Sequence, residues 1–170
     1  MIFEAIPNFS EGHREDICQD LRTTVEQIPG VTVADQHIDR DHHRTVLTFL
    51  GEEGAVAEGA FQLAKKAIEK IDLTRHTGEH PRMGAIDVLP FVPLGEATME
   101  RATLLALTVG RRIGEELHLP VFLYEAAAQR PERRNLADIR RPRFEGYRDY
   151  ADLDPDFGPS QVHPTGDALP

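Results

Sequence analysis

Cysteine is almost absent from this 170-residue sequence: Cys18 stands alone, so no disulfide can close within it. Also missing is any apolar run long enough for a secretory leader or a membrane span. Residues Ile2–Ile6 read instead as a short strand. Both features lead us to expect a chain of the reducing cytoplasm, without a membrane partner. No GxGxxG or GxxxxGK[ST] loop is present, so nucleotide binding has no motif support, and no nucleophile elbow is found. Basic residues are outnumbered, 19 Lys+Arg against 29 Asp+Glu, for a formal net charge of -10. That balance disfavours non-specific binding to nucleic acid, and no nucleic-acid partner is expected. Seven of the 19 basic residues fall between Arg130 and Arg148. They form either a solvated helix face or a patch that steers an anionic ligand.

What is present suffices for one globular core. Hydrophobic residues make up 40% and charged residues 28%. Ile2–Ile6 predicts a first strand, bounded by Pro7. Ser10 is a candidate N-cap with Glu11 in the first turn of a helix, whose stripe is Ile17, Leu21, Val25 and Ile28. Pro29-Gly30 stops that helix. Two strands follow, Val31–Ile38 and Thr45–Leu50, joined by a polar turn over Asp39–His43. Val56, Ala60, Leu63, Ala67, Ile68 and Ile71 repeat at helical spacing. The apolar stretch Ala85–Leu94 carries Pro90 and Pro93, which marks an edge strand or a bulge. Thr98 can cap a helix that buries Ala102, Leu105, Val109, Ile113 and Leu117, and Val121–Tyr124 predicts a final strand. The order β-α-β-β-α-β-α-β predicts an α+β fold: a mixed β-sheet with helices on one face and a split βαβ, ferredoxin-like core. A doubly wound sheet is weaker, because no crossover helix separates the second and third strands. Residues 1–150 are expected to form the domain, and 151–170 a tail rich in Pro, Gly and Asp.

Three groups of residues could carry chemistry. The first is the loop Arg75-His76-Thr77-Gly78-Glu79-His80-Pro81-Arg82-Met83-Gly84, between a helix and a strand. It combines histidines, whose unperturbed pKa of about 6.5 suits proton transfer, with cationic groups and flexible backbone. The competing reading is a solvated polar loop. His76-x-x-x-His80 lacks the HExxH pattern, and no metal is expected. The second group is Asp35, His37, Asp39, Asp41, His42, His43 and Arg44. Calcium-loop spacing is missing there, so a hairpin turn competes with a ligand site. Arg44 could reach either a ligand carboxylate or a surface acid. The third is Asp156-Phe157-Gly158-Pro159-Ser160 with His163-Pro164. Turn chemistry accounts for its glycine and prolines. Phe157 must either pack home or meet something flat.

Taken together, these segments resemble the N-terminal subdomain of the formiminotransferase family. Pro7-Asn8-Phe9-Ser10-Glu11-Gly12 resembles that family's PNFSEG, and Arg44-Thr45-Val46 with Thr48-Phe49 and Gly51 its RTV-TF-G. Gly78 to Val88, with Pro90, Phe91 and Pro93, follows GEHPRMGA-DV-PF-P, and Asp156–Ser160 follows DFGPS. The resemblance implies transfer of a formimino group from N-formimino-L-glutamate to N5 of tetrahydrofolate, late in histidine degradation. It implies His80 as the catalytic histidine, accepting a proton from N5 and returning one to the departing glutamate nitrogen. Glu79, Arg44 and Arg82 are then substrate-binding candidates, the arginines through carboxylates. Gly158, Pro159, Ser160, His163 and Pro164 fall in the folate-binding region. Asp87 is a candidate to orient an imidazole or to cap backbone groups. Family members often have Asp at the place of His37 and Asn at that of His43, so both are positions where proton bookkeeping or substrate choice could differ. The resemblance further implies tetrahydrofolate as acceptor substrate, no metal, a homodimer, and a second subdomain supplied elsewhere. A folate or small-acid binding protein without turnover is the alternative.

Overall fold

The computed structural model describes residues 1–76, 81–149 and 154–160. Its strands are β1 (Ile2–Ala5), β2 (Asn8–Phe9), β3 (Val31–Asp39), β4 (Arg44–Glu52), β5 (Ile86–Val88) and β6 (Phe91–Leu94). The longer helices are α1 (Glu15–Glu26), α2 (Glu53–Lys70) and α3 (Met99–Glu116), with short α4 (Leu136–Arg140) and α5 (Arg143–Asp149) after them.

Prolines divide one inner and one outer segment of the sheet in two. Pro7 separates β1 from β2, and Pro90 separates β5 from β6, because proline supplies no N–H to a ladder. The breaks face each other, with the Ile6 N–H donating to the Pro90 carbonyl at 3.2 Å. At one end the sheet runs β6-β1-β4-β3, and at the other β5-β2-β4-β3. This is the expected split βαβ arrangement in an α+β fold. One detail differs from the expected mixed sheet: every described pairing is antiparallel. The reason is the topology itself, in which the strands joined by a helix crossover are separated by a third strand.

Strict alternation along β4 sets the two faces of the sheet. Thr45, Leu47 and Phe49 are fully buried, while Arg44, Val46, Thr48 and Leu50 between them are half-buried. The buried row meets α1 through Ile17, Cys18, Leu21 and Val25, and α2 through Val56, Ala60, Leu63 and Ala67. Helix α3 joins the same core with Ala102, Leu105, Val109 and Ile113. Its first turn is capped as expected, the Thr98 hydroxyl accepting from the Arg101 N–H at 3.3 Å.

Two local expectations are corrected. Ser10 does not cap α1: the chain stays irregular to Arg14, and the Ser10 hydroxyl donates to the Gly84 carbonyl at 2.8 Å. The ionised Glu11 side chain takes the free N–H groups before the helix instead. The strand expected over Val121–Tyr124 is reduced to one bridge, Val121 with Phe157. Beyond it the Leu123 N–H donates to the Asp156 carboxylate at 2.8 Å, so a side chain replaces the ladder.

Candidate functional site

The turn after β2 brings Glu11 under the β3–β4 hairpin. Gly12 permits that approach, since a Cβ there would strike the Asp39 carbonyl oxygen and lie 2.7 Å from the Arg44 nitrogen. Glu11 is only 1% exposed. Its carboxylate accepts from the N–H groups of Gly12, His13 and Arg14 at 2.9–3.0 Å, and from Arg14 Nε at 2.6 Å. His43 Nε2 adds a further contact at 3.0 Å. Burial pushes the Glu11 carboxyl up, but the hydrogen bonds from Arg14, His13 and His43 outweigh it and hold the pKa at about 2. The group is therefore an anion at neutral pH.

Above it the imidazoles of His13, His43 and His76 stack in a column. Their ring centroids are 3.7 Å and 4.0 Å apart, with interplanar angles of 10° and 7°. His43 occupies the hairpin turn with a positive φ of 52°, which points its ring inward between the other two. His76 Nε2 meets the His43 carbonyl at 3.1 Å, so that nitrogen carries the proton. Burial pulls the His76 pKa down to about 4, against the opposing pull of that hydrogen bond. His76 is thus neutral at physiological pH. Stacked rings turn faces rather than lone pairs to one another, and among the described residues no His/Cys/Asp/Glu group could hold a metal.

The segment after the candidate loop is pinned from several sides. Arg82 donates to the His76 carbonyl at 3.1 Å and to Glu145 of α5 at 2.8 Å. The Phe144 N–H donates to the Arg82 carbonyl at 2.7 Å. Asp87 accepts from the Met83 N–H at 2.7 Å and pairs with Arg140. Of the two roles considered for Asp87, the described contacts are those of a loop cap. Arg44 reaches Asn8 across the sheet, with burial pulling its pKa down and the Asp87 charge opposing.

A small cleft joins these groups. Ser10, His42, His43, Arg44, His76, Pro81, Arg82 and Asp87 line it. Two groups that the sequence holds apart, the hairpin turn and the histidine loop, therefore share one site. His37 does not join them; it is exposed on β3, opposite Val46. Glu79, His80, His163 and Pro164 lie outside the described residues.

The third group is anchored elsewhere. Phe157 packs home: Gly110 of α3 makes room for its ring and Gly114 for its Cβ and backbone, and Arg111 lies over the ring at 4.9 Å. Gly158 has φ +83° and abuts the Leu119 carbonyl so closely that no Cβ fits. Asp156 forms a 2.6 Å ion pair with Arg133, their side chains 6% and 10% exposed. Pro159 and Ser160 are exposed. Between this anchor and the histidine loop lies an apolar cavity of about 420 Å³, whose walls include Met83, Asp87, Phe91, Val109, Val121 and Tyr124. The Tyr124 hydroxyl is buried with no hydrogen-bond partner among the described residues, and burial pushes its pKa up.

Sequence reasoning placed Glu11 in a helix, and read His76 as one member of a loop that could be either an acid–base site or a solvated polar turn. The usable signal for Glu11 was its position just before Gly12, a residue admitted for close approach. His13 gave no signal.

A split βαβ sheet carrying a cluster of histidine and acidic side chains at the ends of its inner strands defines an α+β protein. The chain belongs to the formiminotransferase family: the formiminotransferase domain, N-terminal subdomain, matches residues 2–169. It is similar to the glutamate formimidoyltransferase of Streptococcus pyogenes serotype M1, 47% identical over 96% of this chain and 56% of the relative. It is likewise similar to that of Thermoplasma acidophilum, 42% identical over 99% of this chain and 57% of the relative. Against the formimidoyltransferase-cyclodeaminase of Mus musculus it is 41% identical over 96% of this chain and 31% of the relative. The chain thus spans little more than half the length of the two glutamate formimidoyltransferases. No helix among the described residues is long and apolar enough to cross a membrane.

Proposed function

We propose that this chain supplies the histidine-bearing half of a site that transfers a formimino group from N-formimino-L-glutamate to N5 of tetrahydrofolate. The observation that carries the reading is the shared cleft, where His76 and Pro81, the described residues flanking 77–80, meet Arg44 and His43. In this reading His80 accepts the proton that N5 loses on attacking the formimino carbon. It then delivers a proton to the departing glutamate nitrogen. Arg44 holds a substrate carboxylate, and Glu79 and Arg82 support the same end of the substrate. Arg82 reaches that role only by exchanging its contact with Glu145. The apolar cavity gives a flat aromatic ring a wall to pack on. In this reading Gly158, Pro159, Ser160, His163 and Pro164 contribute to folate binding.

Residues 1–150 form the catalytic subdomain in this proposal, and 151–170 are the tail that carries the Asp156–Ser160 segment. A second subdomain, in the same or a separate polypeptide, closes the site over folate. The half-buried row of β4, with Ile2 and Val92 exposed beside it, favours such a cover or a second copy in a homodimer. A single buried cysteine suits the cytoplasm.

The test is calorimetric titration with tetrahydrofolate, with and without N-formimino-L-glutamate, followed by turnover with a separately supplied C-terminal half. Saturable binding that His80→Ala abolishes, and turnover on adding that half, are the expected results. Binding without turnover under every combination would favour the alternative, a folate or small-acid binding protein.

A further inference from the structure

The cleft beside the histidine column is lined by two guanidinium groups, those of Arg44 and Arg82. The acids close to it are already engaged. Asp87 is held by Arg140 and the Met83 N–H, and Glu11 by Arg14 and three backbone N–H groups. Glu145 stands apart from these. It reaches Arg82 Nη2 at 2.8 Å, and its side chain is 49% exposed where that of Arg82 is 12% exposed.

Arg82 is fixed independently of Glu145. Its carbonyl accepts from the Phe144 N–H at 2.7 Å, and its guanidinium donates to the His76 carbonyl at 3.1 Å. The guanidinium therefore keeps its place when the Glu145 side chain turns away. Helix α5 keeps its place as well, because Phe144, the residue before Glu145, is buried in the core. Both described hydrogen bonds of the Arg82 side chain leave from Nη2, and Nε is buried without a partner. Glu145 thus engages one nitrogen of a group that can grip a carboxylate by two parallel bonds. An ion pair half-exposed on its acidic side is worth little, so a better-fitting carboxylate can replace it. The cleft has a volume of about 10 Å³, room for one water, so an arriving carboxylate displaces Glu145 and does not sit beside it.

We propose that Glu145 is a resident competitor for the carboxylate seat on Arg82, exchanged for a carboxylate of the glutamate-type substrate when that substrate arrives. No covalent bond is made or broken; one carboxylate leaves as another takes its place, and the charge at Arg82 stays balanced throughout. Glu145 thereby sets a threshold. It keeps Arg82 from taking up monatomic anions such as chloride, and yields to a ligand that offers two oxygens in one plane. The proposal deepens the transfer reaction and rests on that reading for its choice of substrate. Glu145 is a positioning residue, acting through Arg82.

The test uses the full 170-residue chain labelled with ¹⁵N-arginine, with glutarate as the dicarboxylate probe and glutaramide as its neutral counterpart. The Arg82 Nε–H signal, shielded by burial and assigned by its loss in Arg82→Lys, reports occupation of the seat. Glutarate is expected to shift it saturably in the parent chain, and glutaramide to leave it unmoved. Glu145→Gln removes the competing charge and should tighten glutarate binding about twofold to tenfold, with Tm within error of the parent. Glu145→Asp, one methylene shorter, should fall between the two. Glu26→Gln, which removes an exposed charge on α1, should leave the affinity unchanged and so exclude a general charge effect. A glutarate affinity in Glu145→Gln no tighter than the parent's, a gain matched by Glu26→Gln, or no glutarate response at Arg82 in any variant would each overturn the proposal. The transfer reading fails separately: tightened glutarate binding in Glu145→Gln, with no folate turnover on adding a C-terminal half, would remove the reaction and leave the seat standing.

Discussion

The carboxylate of Glu11 accepts from His43 Nε2 at 3.0 Å, joining the turn after the second strand to the hairpin that opens the fourth. Arg14 and three backbone N–H groups share that carboxylate, so one buried anion organises both segments. Removing it should loosen the site and the fold together. Glu11→Ala is expected to cost about 1–3 kcal/mol, because the Gly12 N–H and the part-buried His43 ring lose their acceptor. Urea unfolding followed by circular dichroism measures this; a loss under about 1 kcal/mol would refute the central role of Glu11.

Acid should weaken the fold in two stages. His76 has its folded pKa lowered to about 4 by burial, from 6.5. Its contribution is present above the unfolded pKa and is lost as pH falls from 6.5 towards 4. Glu11, at about 2 in the fold and 4.5 unfolded, adds a second loss over the window below pH 4.5. Urea midpoints recorded from pH 7 to 3 should fall in both windows. His76→Asn should flatten the first window and leave the second.

The ion pair of Asp156 and Arg133 is buried at both ends, and each partner has further duties. Arg133 also reaches the Asp154 carbonyl, and Asp156 also takes the Leu123 N–H. Asp156→Ala is expected to destabilise by about 3–5 kcal/mol. A double-mutant cycle with Arg133→Ala should return a coupling of about 1–3 kcal/mol. Additivity within error would show that the pair is incidental.

Gly158→Ala tests the anchor of the third segment. The residue has φ +83° and presses on the Leu119 carbonyl, so a methyl group cannot be accommodated in place. A loss of about 2 kcal/mol or more is expected, seen as a fall in Tm of about 4–8 °C. Faster proteolysis between 154 and 160 than in the parent chain should accompany it. An unchanged melt would mean the segment is not held as described.

His80→Ala, assayed with a C-terminal half supplied separately, should reduce turnover by about 10²–10⁴ and leave Tm within error of the parent. A variant that keeps full turnover would remove His80 from the mechanism.

Much of the fold was legible in the sequence because its signals are local. The stripes Ile17-Leu21-Val25 and Ala102-Leu105-Val109 repeat at the helical period, Thr98 precedes its helix, and Pro90 divides the outer segment where a ladder N–H would be needed. The long motif around His80 carried the family as well, since a run of specific residues is informative without coordinates. Tertiary structure alone decided the rest. Glu11 and His43 are 32 residues apart, as are Arg44 and Asn8 by 36, and only strand register brings them together. The same holds for Phe157, which sequence left undecided between packing and ligand until α3 supplied the space beside Gly110 and Gly114. Periodicity reports which face of an element is buried. It is silent on which charged or polar side chains meet across elements, because that depends on registers and crossings settled by the core as a whole.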